Sequence, residues 1–226
     1  MTQDGSAGRF DLAFPAEGLA RFDVVVLAGG GARRLGGRDK PGLVIGGRAI
    51  IESVVAAGAG AGAARVIVVG PPRDGLDGAV FVREEPAGAG PVPALRRGLA
   101  EVLAPSVVLL AADLPFLRAG HVRALLAAAA WPRGSGGTVP PGVNGAVLTD
   151  DDGREQWLAG AWRTSVLREA LDRYRGESLR GVLGPLGPEL LGSELLGLGE
   201  PGRGAGAPPP WLDCDTPEDV ERARGY

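Results

Sequence analysis

The 226-residue chain predicts a three-layer α/β/α fold built on a mostly parallel central sheet, and three observations predict it. Short β-branched runs alternate with segments of helical period, which sets strands side by side with helices over both faces. The runs are apolar without a polar alternate, as expected of strands buried on both sides. The residues with chemical potential each follow the end of such a run, where open α/β sheets bind their ligands.

The elements follow in order. Residues 1–21 lack a sustained period and read as a poorly ordered lead-in; 22–226 read as one domain. Phe22-Asp23-Val24-Val25-Val26-Leu27 is a buried strand running into Gly29-Gly30-Gly31. Residues 48–57 read as a helix with Ile50, Ile51, Val54 and Val55 on one face. Residues 66–69 and 80–82 are the second and third strands, the former closed by Gly70-Pro71-Pro72. Pro91 suits the first turn of a helix, where a missing N–H costs nothing, and Val92, Leu95, Leu99 and Val102 follow at spacings of three and four. Residues 107–111 are the most apolar strand, ending at Asp113-Leu114-Pro115. A helix over 119–131 follows, then a strand over 145–149, a helix over 161–174, a Gly/Pro-rich connection over 199–210, and a helix over 216–224 capped by Asp215 or Thr216.

Composition excludes several classes. The balance of 24 basic against 27 acidic residues, net charge −3, gives no global field for nucleic acid. An apolar fraction of 45% argues for a packed core despite abundant glycine and proline. No apolar run approaches the roughly 18 residues of a membrane helix, and Asp4 and Asp11 stand where a secretory signal needs a basic start and an apolar core. Cys214 is the single cysteine and can form no intrachain disulfide. A cytoplasmic protein with no membrane and no nucleic-acid partner is the expectation.

Residues 27–40 read LAGGGARRLGGRDK. Successive glycines let backbone N–H groups converge on an anion. A dinucleotide fingerprint from Gly29 fails at Arg34, and a Walker A loop from Gly31 fails at Gly37-Arg38. What remains carries four cations, Arg33, Arg34, Arg38 and Lys40, a density suited to a triphosphate that must release pyrophosphate. Lys40 is the only lysine among the 24 basic residues. Its compact ammonium on a flexible stem is not interchangeable with a guanidinium where a single phosphate oxygen must be met.

This loop resembles the signature of the molybdenum cofactor (molybdopterin) guanylyltransferases, the MobA-like NTP transferases. The likeness continues through GAGPVPAL at 88–95, AADLPF at 111–116, REQWLAGAW at 154–162, ESLRGVL at 177–183 and DCDTPEDV at 213–220. The resemblance implies a single-domain, Rossmann-like nucleotidyltransferase, with residues 22–118 as its nucleotide-binding part and 119–226 as its acceptor, or pterin, side. It implies transfer of GMP from GTP to the phosphate of molybdopterin, with Mg2+ as cofactor and pyrophosphate as by-product, and molybdoenzymes or cofactor carriers as protein partners.

The implied nucleotide site comprises Leu27, Ala28, Gly29, Gly30, Gly31, Arg34, Lys40, Glu85 and Asp113, with Arg33, Lys40 and Asp113 catalytic. Asp113, past a strand end and facing a phosphate loop, is placed to hold Mg2+ through oxygen, and Asp215 is the second metal candidate. Asp-Thr-Pro-Glu is also a good helix start, and both roles can hold together. Glu85, with Glu84 as the second choice, replaces the family's base-reading aspartate, and Gly70 stands where the family has an asparagine. Trp157 and Trp162 are flat surfaces suited to a pterin or to a core. Arg163, Arg175 and Arg180 could meet the acceptor phosphate. Asn144 fits a turn, and His121 a helix start. Asp213-Cys214-Asp215 and Gly70 favour the rival reading, cytidylyl transfer from CTP to the same pterin or nucleotidyl transfer to another phosphate or sugar phosphate. A non-catalytic nucleotide-binding accessory protein is the reading from a different class.

Overall fold

The computed structural model describes residues 20–29, 39–130, 144–192 and 208–226. Strands β1 (Phe22–Leu27), β4 (Val66–Val69), β5 (Val80–Val82), β6 (Ser106–Ala111) and β7 (Gly145–Thr149) lie where the apolar runs place them. The helices are α1 (Ile50–Gly60), α2 (Pro91–Ala100), α3 (Ala119–Ala130), α4 (Thr164–Arg173), α5 (Leu179–Leu183) and α6 (Pro217–Arg224).

Four strands were not anticipated. β2 (Val44–Ile45) and β3 (Arg48–Ala49) form a small hairpin, so the helix expected from 48 begins at 50. β8 (Glu155–Arg163) takes 161–163 away from the expected helix, which starts at Thr164 instead. β9 (Glu189–Leu191) closes one edge of the sheet. The lead-in over 1–19, Trp131 and the connection over 199–207 lie outside the described residues.

The main sheet runs β5-β4-β1-β6-β8-β7-β9. β1 pairs in parallel with both β4 and β6, β4 with β5, and β7 with β9, while β8 runs antiparallel to β6 and β7. Alternation along each strand divides the interior into two layers. Val24, Val26, Val68, Val108 and Leu110 join Ile50 and Val54 of α1, Val122 and Leu125 of α3, and Val220 of α6. Val25, Leu27, Ile67, Val69, Val107 and Leu109 join Val92 and Leu95 of α2, Leu167 of α4, and Val182 of α5.

Close contacts fix these layers. A Cβ on Gly98 would lie 2.6 Å from Val25 Cγ1 and 2.8 Å from Val69 Cγ2, so α2 can lie this near the sheet only with glycine there. Arg168 donates to the carbonyls of Leu99 and Val102, at 3.2 and 2.6 Å, and Arg96 donates to those of Leu171 and Tyr174, so α2 and α4 cap each other. Fully buried Asp23 accepts from the N–H groups of Leu103 and Ala104, at 2.7 and 3.0 Å, tying the start of β1 to the approach to β6. Among the described residues no helix is long and apolar enough to cross a membrane.

Candidate active site

The chain leaves β1 for β4 on one side and later returns to β6 on the other, so the direction of winding reverses between β1 and β6. Their carboxyl ends form the crevice that such a reversal opens. Leu27 and Ala111 are register partners, and the N–H of Ala112 donates to Leu27 O at 3.2 Å. Gly29 and Asp113 therefore leave adjacent strand ends, each two residues past the pairing. Gly30, Gly31, Arg33, Arg34 and Arg38 lie outside the described residues.

Lys40 opens a 3-10 turn, Lys40–Gly42, with Pro41 inside it. Leu43 N donates to Lys40 O at 3.1 Å and Ile50 N to Leu43 O at 2.9 Å, seating the turn on the start of α1. Just before it, Asp39 receives two hydrogen bonds from the Arg73 guanidinium, each at 2.5 Å. Hydrogen bonding from Arg73, opposed by partial burial and helped by its charge, holds the Asp39 carboxyl below its ordinary pKa. No sequence signal marked Arg73, which lies in a plain turn between strands.

The Lys40 ammonium donates to Asp113 Oδ2 and to Asp215 Oδ1. The three side chains come from positions 73 and 175 residues apart, and the ammonium is mostly shielded, with 14% of its side chain exposed. Burial alone would lower the Lys40 pKa, but the charge and hydrogen bond of Asp113, then those of Asp215, outweigh it and leave the pKa raised.

The Asp215 side of this cluster is built by helix capping. Thr216, not Asp215, caps α6: Thr216 Oγ1 accepts from Asp219 N at 3.2 Å, and Asp219 Oδ2 accepts from Thr216 N at 2.9 Å. Pro217 takes the first turn, and the acids at 218 and 219 meet the positive end of the helix. The Asp215 carboxylate thereby faces Lys40. Buried Trp211 and Cys214 anchor the segment beneath it, and burial pushes the Cys214 thiol up to about 11. Asp213 reaches solvent, yet the packing around it and then the charges of Asp215 and Asp113 raise its pKa. On the other side, Phe116 of the Asp113 loop meets Tyr226 edge to face, with ring centroids 5.6 Å apart.

Of the paired glutamates, Glu84 is buried and Glu85 exposed. Glu84 Oε1 accepts from Gly88 N at 2.9 Å, and Oε2 finds no partner among the described residues. A Cβ on Gly29 would lie 3.4 Å from Glu84 Oε1, so this carboxylate borders the start of the glycine loop. Gly70 packs on Ala28: a Cβ there would meet Ala28 Cβ and O at 3.1 and 3.2 Å, leaving little room for a longer side chain.

The arginines named for the acceptor separate cleanly. Arg163 pairs in register with Ser106, at the opposite end of β6 from the crevice. Arg175 donates to the carbonyls of Asp172 and Tyr174 at the end of α4. Arg180 instead lines a cavity of about 460 Å3 with Glu155, Trp157, Pro185 and Leu190. The β6–β8 pairing ends at Leu110 opposite Ala159, so Trp157 lies two residues beyond it, towards the carboxyl end of β6. Trp162, 1% exposed, belongs to the core. His121 Nδ1 accepts from Arg118 N at 3.1 Å at the start of α3, and Asn144 donates to Leu186 O at 3.0 Å.

Among the described residues no group of three or more His, Cys, Asp or Glu side chains is disposed around a metal position. Asp113 and Asp215 nevertheless converge on one cation, the ammonium. Two carboxylates make an all-oxygen donor pair that suits Mg2+, which commonly takes one or two carboxylates and completes its shell with substrate phosphates and water.

Known structures share the architecture. Molybdopterin-guanine dinucleotide biosynthesis protein A from Archaeoglobus fulgidus is 19% identical, with a TM-score of 0.61 over 90% of this chain and 97% of its own. Rv0371c from Mycobacterium tuberculosis is 23% identical, with a TM-score of 0.65 over 92% and 100%. The 2-C-methyl-D-erythritol 4-phosphate cytidylyltransferase from Thermus thermophilus is 21% identical, with a TM-score of 0.58 over 91% and 98%. No curated protein sequence matches the chain significantly. The model of the MobA-like NTP transferase domain matches residues 24–190, from within β1 to within β9, and the chain belongs to that family.

Proposed function

We propose that the protein transfers GMP from GTP to the phosphate of molybdopterin, releasing pyrophosphate, with Mg2+ as cofactor. Membership of an NTP transferase family makes nucleotidyl transfer the reaction class. The observation that carries the reading further is the convergence of Lys40, Asp113 and Asp215 at the winding reversal between β1 and β6.

In this reading the Gly29-Gly30-Gly31 backbone with Arg33, Arg34 and Lys40 holds the triphosphate. Asp113 and Asp215 hold Mg2+, which when bound supplies positive charge against the phosphate oxygens. A phosphate oxygen of the acceptor attacks the α-phosphorus in line, the bond to the β-phosphate bridging oxygen breaks, and the arginines and Lys40 neutralise the departing pyrophosphate. No protein nucleophile is needed, because positioning and charge stabilisation carry such transfers. Glu84, buried beside Gly29 with an oxygen that has no partner among the described residues, is better placed than exposed Glu85 to accept from the base. The cavity at Trp157 and Arg180 supplies an aromatic wall and a cation for a phosphate-bearing acceptor.

A cytidylyl reading draws support from Asp213-Cys214-Asp215 and from Gly70, whose contact with Ala28 leaves little room for the family's asparagine. Pyrophosphate release with Mg2+ and molybdopterin, compared across GTP, CTP, ATP and UTP, separates the two. GTP selectivity is the expected result. CTP selectivity would reassign the base pocket while keeping the phosphate and metal sites. Nucleotide binding without pyrophosphate release from any of the four would favour an accessory, non-catalytic protein.

A further inference from the structure

We infer that Lys40 is an exchangeable counter-ion of the metal position: its ammonium closes Asp113 and Asp215 to free divalent cation and releases them when a triphosphate offers its own oxygens. This rests on the metal site proposed above and adds an order of events to it. One ammonium donates to both carboxylates, so it occupies oxygens that would also hold a metal ion. A divalent cation added without moving the lysine would sit beside the ammonium in a partly shielded site, and their repulsion opposes that state. If the ammonium moves to a phosphate oxygen, the carboxylate oxygens it held lose that positive charge and attract the cation more strongly.

The architecture confines the exchange to one side chain. The backbone of Lys40 is fixed by the 3-10 turn with Pro41 and by the Asp39–Arg73 pair just before it. The four-carbon stem of lysine can swing while that base stays in place. This also gives the lone lysine a physical reason. A guanidinium would grip both carboxylates through a planar fork of donors and release them reluctantly, whereas an ammonium is a point charge that can change partners. Metal and nucleotide then bind with positive coupling, each raising the affinity for the other by the same factor.

The test is direct Mn2+ binding to the full chain, read from the electron paramagnetic resonance of free Mn2+, with and without a non-hydrolysable GTP analogue, and with the Mn2+ taken up by the analogue alone subtracted throughout. Wild-type protein is expected to bind Mn2+ weakly alone and about tenfold more tightly with the analogue, within the usual range of coupling. Lys40→Gln is expected to bind Mn2+ alone about tenfold more tightly than wild type, with little further gain from the analogue. Lys40→Arg is expected to stay as weak as wild type without nucleotide. Adding Asp113→Asn to Lys40→Gln should return binding to the weak level, which locates the ion. A folded Lys40→Gln that binds Mn2+ within twofold of wild type, while wild type still gains with nucleotide, overturns the counter-ion role and leaves the metal site standing. No Mn2+ uptake by wild type with analogues of any of the four nucleotides would overturn both.

Discussion

At the scale of single residues, the candidate site was legible where composition made a residue conspicuous. Lys40 stood out because arginine fills every other basic position, and it lies at the meeting point of Asp113 and Asp215. The choice between Glu84 and Glu85 was not legible, because neighbours in extended chain point to opposite sides and nothing local says which side is the crevice. The two residues make separable predictions. Glu84→Gln is expected to raise KM for the nucleotide roughly tenfold to a hundredfold, the range of one hydrogen bond to a charged group. Glu85→Gln is expected to leave it within about twofold, since an exposed carboxylate loses little. Steady-state kinetics on both variants checks this, and an equal or larger effect at Glu85 would keep it as a base reader.

At the scale of elements, β1, β4 and β6 announced themselves by apolar runs rich in valine and leucine, and β8 and β9 did not. The β8 sequence, EQWLAGAWR, holds no β-branched residue and carries a glycine, a composition that reads as helix or turn. The glycine has a packing reason: a Cβ at Gly160 would lie 3.0 Å from the Trp162 indole nitrogen and 2.9 Å from Val147 Cγ1. Tertiary contact, not propensity, makes this segment a strand. The start of α6 was legible as a capping sequence, and the pair Thr216–Asp219 is its structural form. Burial would raise the Asp219 pKa, but hydrogen bonds from Thr216 and the Arg222 charge lower it below the ordinary 3.8. That contribution to stability is present above 3.8 and lost as pH falls through the lowered native value. Asp219→Ala is therefore expected to cost about 0.5–2 kcal/mol at pH 7, with the gap from wild type closing in acid, as urea titrations at pH 7 and pH 3 would show.

At the scale of the whole molecule, alternating strands and helices predicted the layers, and the strand order β5-β4-β1-β6 then fixed which ends meet. The long-range closure by the last described segment was visible only as a motif. Trp211, Cys214, Val220 and Ala223 enter the same layer as α1 and α3, so the segment that carries Asp215 is also part of the core. Trp211, 9% exposed, ties the two roles together. Trp211→Ala is expected to lower stability by about 3–5 kcal/mol, as for other large core aromatics. Its residual turnover should fall through misplacement of Asp215 even at temperatures where the variant remains folded. Circular dichroism melts paired with pyrophosphate release check both halves.

The reversed direction of β8 has one more consequence. Because β8 alone in the main sheet runs against its neighbours, its first residues and the turn leading into it lie at the carboxyl edge of the sheet, the edge on which the crevice opens. That turn, 150–154, is closed locally: Asp150 N donates to Arg154 O at 3.0 Å, and Asp150 Oδ1 accepts from Arg154 N at 2.8 Å. A hairpin turn can lengthen, shorten or change sequence at little thermodynamic cost. The wall beside Trp157 can therefore be redrawn without disturbing the strand ends that present Gly29 and Asp113. Under the proposed function, acceptor choice and phosphate chemistry then rest on different stretches of one sheet, and the first can change without disturbing the second.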